Sequence, residues 1–390
     1  MSLPAGWKKV YLEEAYWFQE GPGVRKWQFT DSGIKLLNVA NIEKSGHLNL
    51  AKTDRHLSIN EVTTRYQHFL IDEGDLVIAS SGISFDIDGL LRTRGAFVES
   101  RHLPLCLNTS TIRFKAKAAI SDLTYLKFWL DSRDFREQIT KLVTGSAQQN
   151  FGPSHLKAIR IVLPPLSEQR RIAAILDQAD TLRAKRRESL AQLESLKQAI
   201  FLDMFGDPAR NPKGWCVSRI DSVTECLDKF RRPITESERS PGSVPYYGAN
   251  GQQGWIDEFL FDEPLILVAE DGGHFENPER GVAYRIDGPA WVNNHAHILR
   301  PKFEILNLEY CHQVLRHFNF QPYVSGTTRA KLTQGQLNSV MIPIPPLHYQ
   351  ETFDFRAREI QNLIGVTKEA SIDSEKLFSA LQHRAFRGEL

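Results

Sequence analysis

The chain reads as a mixed α/β (α+β) protein with a pseudo-two-fold internal repeat: two mostly-β units carrying short helices, each followed by one long helix. Three observations predict this class. Residues 143–206 align with residues 324–387 at a constant offset of 181, with 14 identities among 64 positions and no gap, and a repeat of that length marks a duplicated structural unit. Each half opens on the same turn and tryptophan, Leu3-Pro4-Ala5-Gly6-Trp7 and Asn211-Pro212-Lys213-Gly214-Trp215. Each repeat then passes from a short apolar run through a double proline into about 37 residues with heptad spacing of apolar side chains.

Within each unit, short β-type runs are broken by Gly, Pro and Asn. In the first half these fall at 33–38, 75–79 and 111–114, and in the second at 244–247, 264–269 and 297–300. Helices are expected at 123–139 and 308–318. The closing strands, 159–166 and 340–347, end at Pro164-Pro165 and Pro345-Pro346, where proline stops a ladder and presets a helix start. The tryptophans lie 208 residues apart against 181 for the helical repeat, so the first unit is 27 residues longer. The scaffold is shared; the loops are not.

The long helices are expected over 167–205 and 348–386. Alternating steps of three and four from Ile172 place Ile172, Ile175, Leu182, Leu193 and Leu196 on the first seam. The same steps place Phe353, Ile360, Leu363, Leu377 and Leu381 on the second, giving seven and six apolar residues in ten. Acidic and basic residues are balanced on both helices, which suits a protein-contacting coiled coil better than a phosphate-tracking stripe. Two surface helices, each packed on its own unit, are the alternative.

Bulk composition is that of an ordinary globular chain: 390 residues, 41% hydrophobic, 24% charged, net charge +1. No apolar run is long enough to span a bilayer, and residues 1–9 lack the apolar region of a secretion signal. Cys106, Cys216, Cys226 and Cys311 are dispersed without a CxxC pair, which argues against a zinc ribbon or disulfide framework and fits a cytoplasmic location.

With its paired GW segments, the helix entries PPLSEQRRIA and PPLHYQE, the junction AIFLDMFGDPARNPKGW and the closing ALQHRAFRGEL, the chain resembles the specificity subunits of type I restriction-modification systems over its whole length. The resemblance implies target-recognition domain 1 at 1–163, a spacer helix at 164–206, target-recognition domain 2 at 207–344 and a second spacer helix at 345–390. It implies that the helices pack antiparallel as a coiled coil, and that each domain reads one half of a bipartite, asymmetric DNA target. The implied partners are double-stranded DNA, two modification (methyltransferase) subunits and restriction/translocase subunits, with no membrane. The second copy departs from the pattern at His348 and Tyr349, which replace Ser-Glu, and at Gly365, which is expected to interrupt its helix.

The chain carries no Asn/Asp-Pro-Pro-aromatic methyltransferase motif, no GxGxxG and no GxxxxGK[ST] phosphate loop. It therefore reads as non-catalytic, with S-adenosylmethionine, ATP and Mg²⁺ expected in partner subunits and no cofactor of its own. A self-sufficient DNA methyltransferase or nuclease, and a coiled-coil adaptor that binds no DNA, are the rival readings. Glu270-Asp271-Gly272-Gly273-His274 is the most enzyme-like segment, since two carboxylates and a histidine suit Mg²⁺ or acid–base work. Its counterpart, Ser80-Ser81-Gly82, has no carboxylate. A catalytic pair should not vanish from one twin, so a loop turn or readout at Ser80, Ser81 and Asp271 is preferred. His295-Ala296-His297 has no further ligand at metal-site spacing, and a strand with alternating faces accounts for it.

For DNA contact, Gln252 and Gln253 between flanking glycines, with Tyr246, Tyr247 and Asn250 before them, suit adenine readout; a polar hairpin turn explains them equally. Gln148, Gln149 and Asn150 occupy the place that Thr327, Arg329 and Lys331 take in the second copy, a small polar loop before each closing strand. Arg25, Lys26, Arg231 and Arg232 are candidate phosphate contacts.

Overall fold

The computed structural model describes residues 3–82, 84–85, 88–143, 150–275, 281–326 and 330–390. The chain forms two compact units, Met1–Arg187 with Glu369–Leu390, and Glu188–Lys368. Each unit therefore owns one globular body and one part of each long helix, where the sequence boundaries set the helices apart as segments of their own.

Both bodies repeat one antiparallel four-stranded sheet. In the first unit the spatial order is Tyr16–Glu20, Thr111–Ala116, Leu76–Ala79, Gly95–Phe97; in the second it is Thr224–Cys226, Ala296–Pro301, Leu265–Ala269, Ala283–Ile286. The third strand of each is buried along its whole length, as its continuous apolar text requires. A two-stranded ribbon joins the start of each half to its close: Lys8–Tyr11 pairs Arg160–Leu163, and Val217–Arg219 pairs Met341–Pro343.

The second four-stranded sheets differ. In the first unit the parallel pair Ile34–Leu36 and Leu105–Cys106 extends through His56–Leu57 to Phe29–Thr30. In the second unit the parallel pair is Val244–Gly248 and Pro289–Val292, flanked by the hairpin strand Gly251–Ile256 and by Phe261–Asp262. The duplicated sheet is the scaffold, and this second sheet is where the halves diverge.

The expected helix at 123–139 is two helices, Leu123–Leu130 and Arg133–Leu142. Asp131 is the C-cap of the first and Ser132 the N-cap of the second; the Ser132 hydroxyl donates to the Trp129 carbonyl and accepts from the Phe135 amide, a competition with the backbone that makes serine favour helix boundaries. The second-half counterpart, Leu308–His317, is single.

The long helices run Leu166–Phe205 and Leu347–Ala385. Gly365 does not interrupt the second: a side chain there would meet open space, so its cost is only the roughly 1 kcal/mol of backbone entropy that a long helix tolerates. In the first unit Ile172 and Leu176 share a core with Phe378 and Ala385, Arg183 pairs with Glu375 at 2.7 Å, and the Arg171 guanidinium donates to the Leu390 carbonyl. Partner numbers fall as helix numbers rise, so the packing is antiparallel.

The expected seam needs correction. Leu182, Leu196, Leu363 and Leu377 are 43%, 46%, 55% and 54% exposed, and Ile175 is half-buried where its neighbour Leu176 is fully buried. The stripe that is buried or half-buried steps four then three: Ile172, Leu176, Ala179, Arg183, Arg186, Leu190, Leu193, Lys197, Ile200, Met204. At the 181 offset the second helix buries Phe353, Ala357, Ile360, Ile364, Thr367, Ser371, Ser374, Phe378, Leu381 and Ala385. Ile172, Leu193, Phe353, Ile360 and Leu381 thus belong to the seam, and every alternate position shifts by one. The middle of the stripe is polar: Arg186 donates to the Ser374 hydroxyl and the Ala370 carbonyl.

Each unit ties its long helix to its short one through the same buried amide. Gln169, fully buried, accepts from the Asp122 amide at 2.9 Å and donates to the Ile120 and Pro164 carbonyls. Gln350 does the same with the Asn307 amide, Ile305 and Pro345. Asp122 and Asn307 are the N-caps of Leu123–Leu130 and Leu308–His317. Among the described residues, no helix is long and apolar enough to cross a membrane.

Candidate nucleic-acid interface

In the second unit the end of the buried strand Leu265–Ala269 is joined to three segments far apart from it in sequence. The Leu332 amide donates to the Glu270 carbonyl at 2.7 Å, and the Glu270 amide donates to the His295 carbonyl at 2.9 Å. Asn250, in the hairpin turn, donates to the Gly272 carbonyl at 2.9 Å, and Asn293 donates to Gln253 at 3.3 Å. Asp271 lies 2.7 Å from the His295 ring, and its backbone bridges to Lys331. Asn250, Gln253, Asp271 and Lys331, chosen one by one from the sequence, therefore share one edge. Gln252 and Gln253 are both exposed on the strand Gly251–Ile256, next to a register irregularity of its hairpin. Both lie on a strand after the turn rather than in the turn itself.

The first unit repeats this arrangement in outline. The Phe151 amide donates to the Ser80 carbonyl at 3.0 Å, the counterpart of Leu332 to Glu270. Asn150 is exposed next to it, and Ser81 is half-exposed. Gln148, Gln149, Thr327 and Arg329 lie outside the described residues.

Charge distinguishes the second site. Arg231 reaches Glu270 at 2.5 Å and Asp228 at 3.3 Å, Lys331 reaches Glu270 at 3.0 Å, and the His297 ring lies 2.5 Å from Asp228. Burial pushes the carboxyls of both acids up, but His297 at Asp228 and the Arg231 and Lys331 cations at Glu270 outweigh it, leaving both below their ordinary values. Asp228, Glu270 and His297 come close enough to resemble a metal-ligand set. The Arg231 guanidinium and Lys331 ammonium already neutralise those carboxylates, so the group serves to lock loops together. Glu270, held by two cations, is equally unsuited to act as a base.

Three sequence candidates need correction. Tyr246 is 1% exposed, with its hydroxyl bonded to the Ile234 backbone and Arg239 stacked on its ring, so it is core. Ser80 is 1% exposed and serves through its backbone. Arg231 is engaged in the ion cluster and in a bond to the Ala296 carbonyl, not presented to solvent. Tyr247 is half-buried against Tyr284. Arg232 is exposed, its guanidinium 5.9 Å from the Trp291 ring.

Arg25 and Lys26 are exposed at the start of a short turn, Lys26–Gln28, that Arg25 precedes and that the buried Gln28 anchors by donating to Glu61 at 2.6 Å and Tyr66 at 3.0 Å. Between them and this anchor stands Trp27, 79% exposed, which sequence reasoning passed over. Its signal was available: an aromatic directly after two cations has no apolar periodicity around it.

The family model of the type I restriction modification DNA specificity domain matches residues 4–195 and 212–353. The chain belongs to this family. A putative type I restriction enzyme specificity subunit from Haemophilus influenzae is 37% identical over 132 residues, 34% of this chain and 33% of the relative. The type I restriction enzyme MjaVIII specificity subunit from Methanocaldococcus jannaschii is 26% identical over 208 residues, 51% of this chain and 45% of the relative. The matches thus span a third to under half the length of these curated relatives. Among solved structures, a type I restriction-modification S subunit from M. genitalium superposes with a TM-score of 0.60 at 14% identity, covering 97% of this chain and 96% of the other. A chain from work on complex assembly and conformational transition of the type I R-M system gives 0.57 at 18% identity, covering each chain in full. At these identities the superpositions establish a shared specificity-subunit fold.

Proposed function

We propose that this chain is the DNA-recognition subunit of a type I restriction-modification complex, each body reading one half of a split, asymmetric target. One observation carries the reading: the sheet, ribbon and glutamine tie are duplicated, while the second sheets and the loops at the strand ends differ. Shared scaffolds with unlike tips suit two readers of different half-sites. In this reading phosphate contacts supply salt-dependent affinity and the loops supply sequence choice. Gln252 and Gln253 read adenine edges in one half-site. The long helices, about 60 Å each, set the gap and dock modification subunits. S-adenosylmethionine, ATP and Mg²⁺ belong to the partner chains.

The test is methylome sequencing of cells expressing the chain with its modification subunit, compared with Gln252→Ala/Gln253→Ala. One half of the methylated motif should relax while the other half and the gap persist. Relaxation of both halves together would reject the assignment of these glutamines. The rival reading is tested separately by incubating the purified chain with labelled S-adenosylmethionine and DNA, where incorporation would reject a non-catalytic role.

A further inference from the structure

A cleft of about 520 Å³ opens in the first unit, between the edge strand Gly95–Phe97, the short helix Leu123–Leu130 and the long helices. Six cationic side chains line it, Lys44, Arg92, Arg94, Lys127, Arg183 and Arg187, against three carboxylates. Each carboxylate is already engaged: Glu43 with Lys52 at 2.9 Å, Asp131 with Arg92 at 3.3 Å, and Asp180 with Arg183 at 3.3 Å and Lys127 at 3.9 Å. Lys44, Arg94 and Arg187 have no side-chain ion pair or hydrogen bond among the described residues. Arg183 is held over the Phe378 ring at 4.0 Å, and Phe128 packs against the same ring. Cations beside an apolar wall attract an anion more strongly than cations in open water.

The repeat-related place in the second unit is neutralised. Phe378 corresponds there to Lys197, which binds the buried Glu309 at 2.6 Å, and Arg285 reaches the same carboxylate at 3.4 Å. Arg183 corresponds to Ile364. The positive cleft is therefore a property of the first unit and not of the duplicated scaffold.

We propose that this cleft binds phosphate, and that its ligand is the backbone of double-stranded DNA engaged by the first unit. The inference rests on the DNA-recognition reading above. Guanidinium pairs suit phosphate oxygens in a fork geometry, and three cations without a protein partner among the described residues in one cleft leave a local excess of positive charge that favours an anion. A free polyphosphate offers the same chemistry, so the experiment includes it as a separate arm.

The full chain and its Arg94→Gln/Arg187→Gln variant are titrated with a fluorescent mixed-sequence duplex over a salt series, and inorganic triphosphate is titrated into each protein by calorimetry. Lys368→Gln, at the place repeat-related to Arg187, serves as the charge control. The double variant should lose about 1.8 from the magnitude of the log–log salt slope, two phosphate contacts' worth, and the control should keep the parent slope. Thermal midpoints should be unchanged, because neither arginine has an internal partner to lose. An unchanged slope, or an equal loss in the control, overturns the DNA assignment. Triphosphate binding that the double variant abolishes while the slope stays would reassign the cleft to a free polyphosphate. If the parent chain binds no duplex, the recognition reading itself is in question, and the triphosphate arm alone judges the cleft.

Discussion

Two glutamines, one per half, do the same work. Replacing Gln169 or Gln350 by Ala takes the partner from the amide of the N-cap residue and from two carbonyls, one of them in a buried bond and the rest part-buried. The expected cost is about 2–3 kcal/mol, a fall of roughly 4–12 °C in the midpoint of that unit, read by calorimetry. A change below about 1 °C would mean that water replaces the amide. Glu309 sets an acid limit in the second unit. Burial pushes its carboxyl up, yet His312 and Lys197 outweigh this and bring it to about 2, below the ordinary 4.5. A depressed carboxylate contributes stability above its unfolded value and loses it as pH falls toward the folded one. The second unit should therefore weaken between about pH 4.5 and pH 2, and Glu309→Gln should flatten that part of the profile, followed by fluorescence unfolding at stepped pH. A variant with the parent's acid slope would exonerate Glu309. Single residues were also where sequence reasoning fared worst. Tyr246 beside two glutamines looks like a reader, and nothing in the chain text says that its hydroxyl is spent on Ile234.

The strands and helices themselves were largely legible. Buried strands are continuous apolar runs, and the double prolines mark where ladder gives way to helix, with Leu166 and Leu347 one residue ahead of the expected starts. The seam was harder because two registers were nearly tied. The stripe that is buried in the first helix also holds seven apolar residues in ten, so counting could not choose between steps of three-four and four-three. The bodies chose: Leu176 and Ala173 pack on the short-helix core of the first unit. Leu176→Ala should accordingly cost about 2–4 kcal/mol, while Leu182→Ala should cost under about 1 kcal/mol. Similar losses at both would restore the leucine seam. Gly365→Ala should raise the midpoint, by about 0.5–1 kcal/mol of stability, since its site is open and helical. A loss there would reveal a contact made in the assembled complex.

For the molecule as a whole, the duplicated antiparallel sheet carries two unlike second sheets, and the proposed function follows from that combination. If the helices act as a spacer, four residues inserted in each, close to one turn, add about 6 Å, or roughly two base pairs of duplex. Methylome sequencing should then return the same half-sites with a longer gap, and an unchanged gap would remove the spacer role. The repeat, the paired tryptophan turns, the two long helices and the family resemblance were readable in the linear chain, because each leaves a periodic or fixed-offset mark that survives without coordinates. The helix register, the loop cluster joining Asn250, Asp271, Arg231 and Lys331, and the charged cleft of the first unit were not. Each depends on which of several equally apolar or equally charged side chains meet once distant segments close on one another, and long-range contact leaves no spacing in a single sequence.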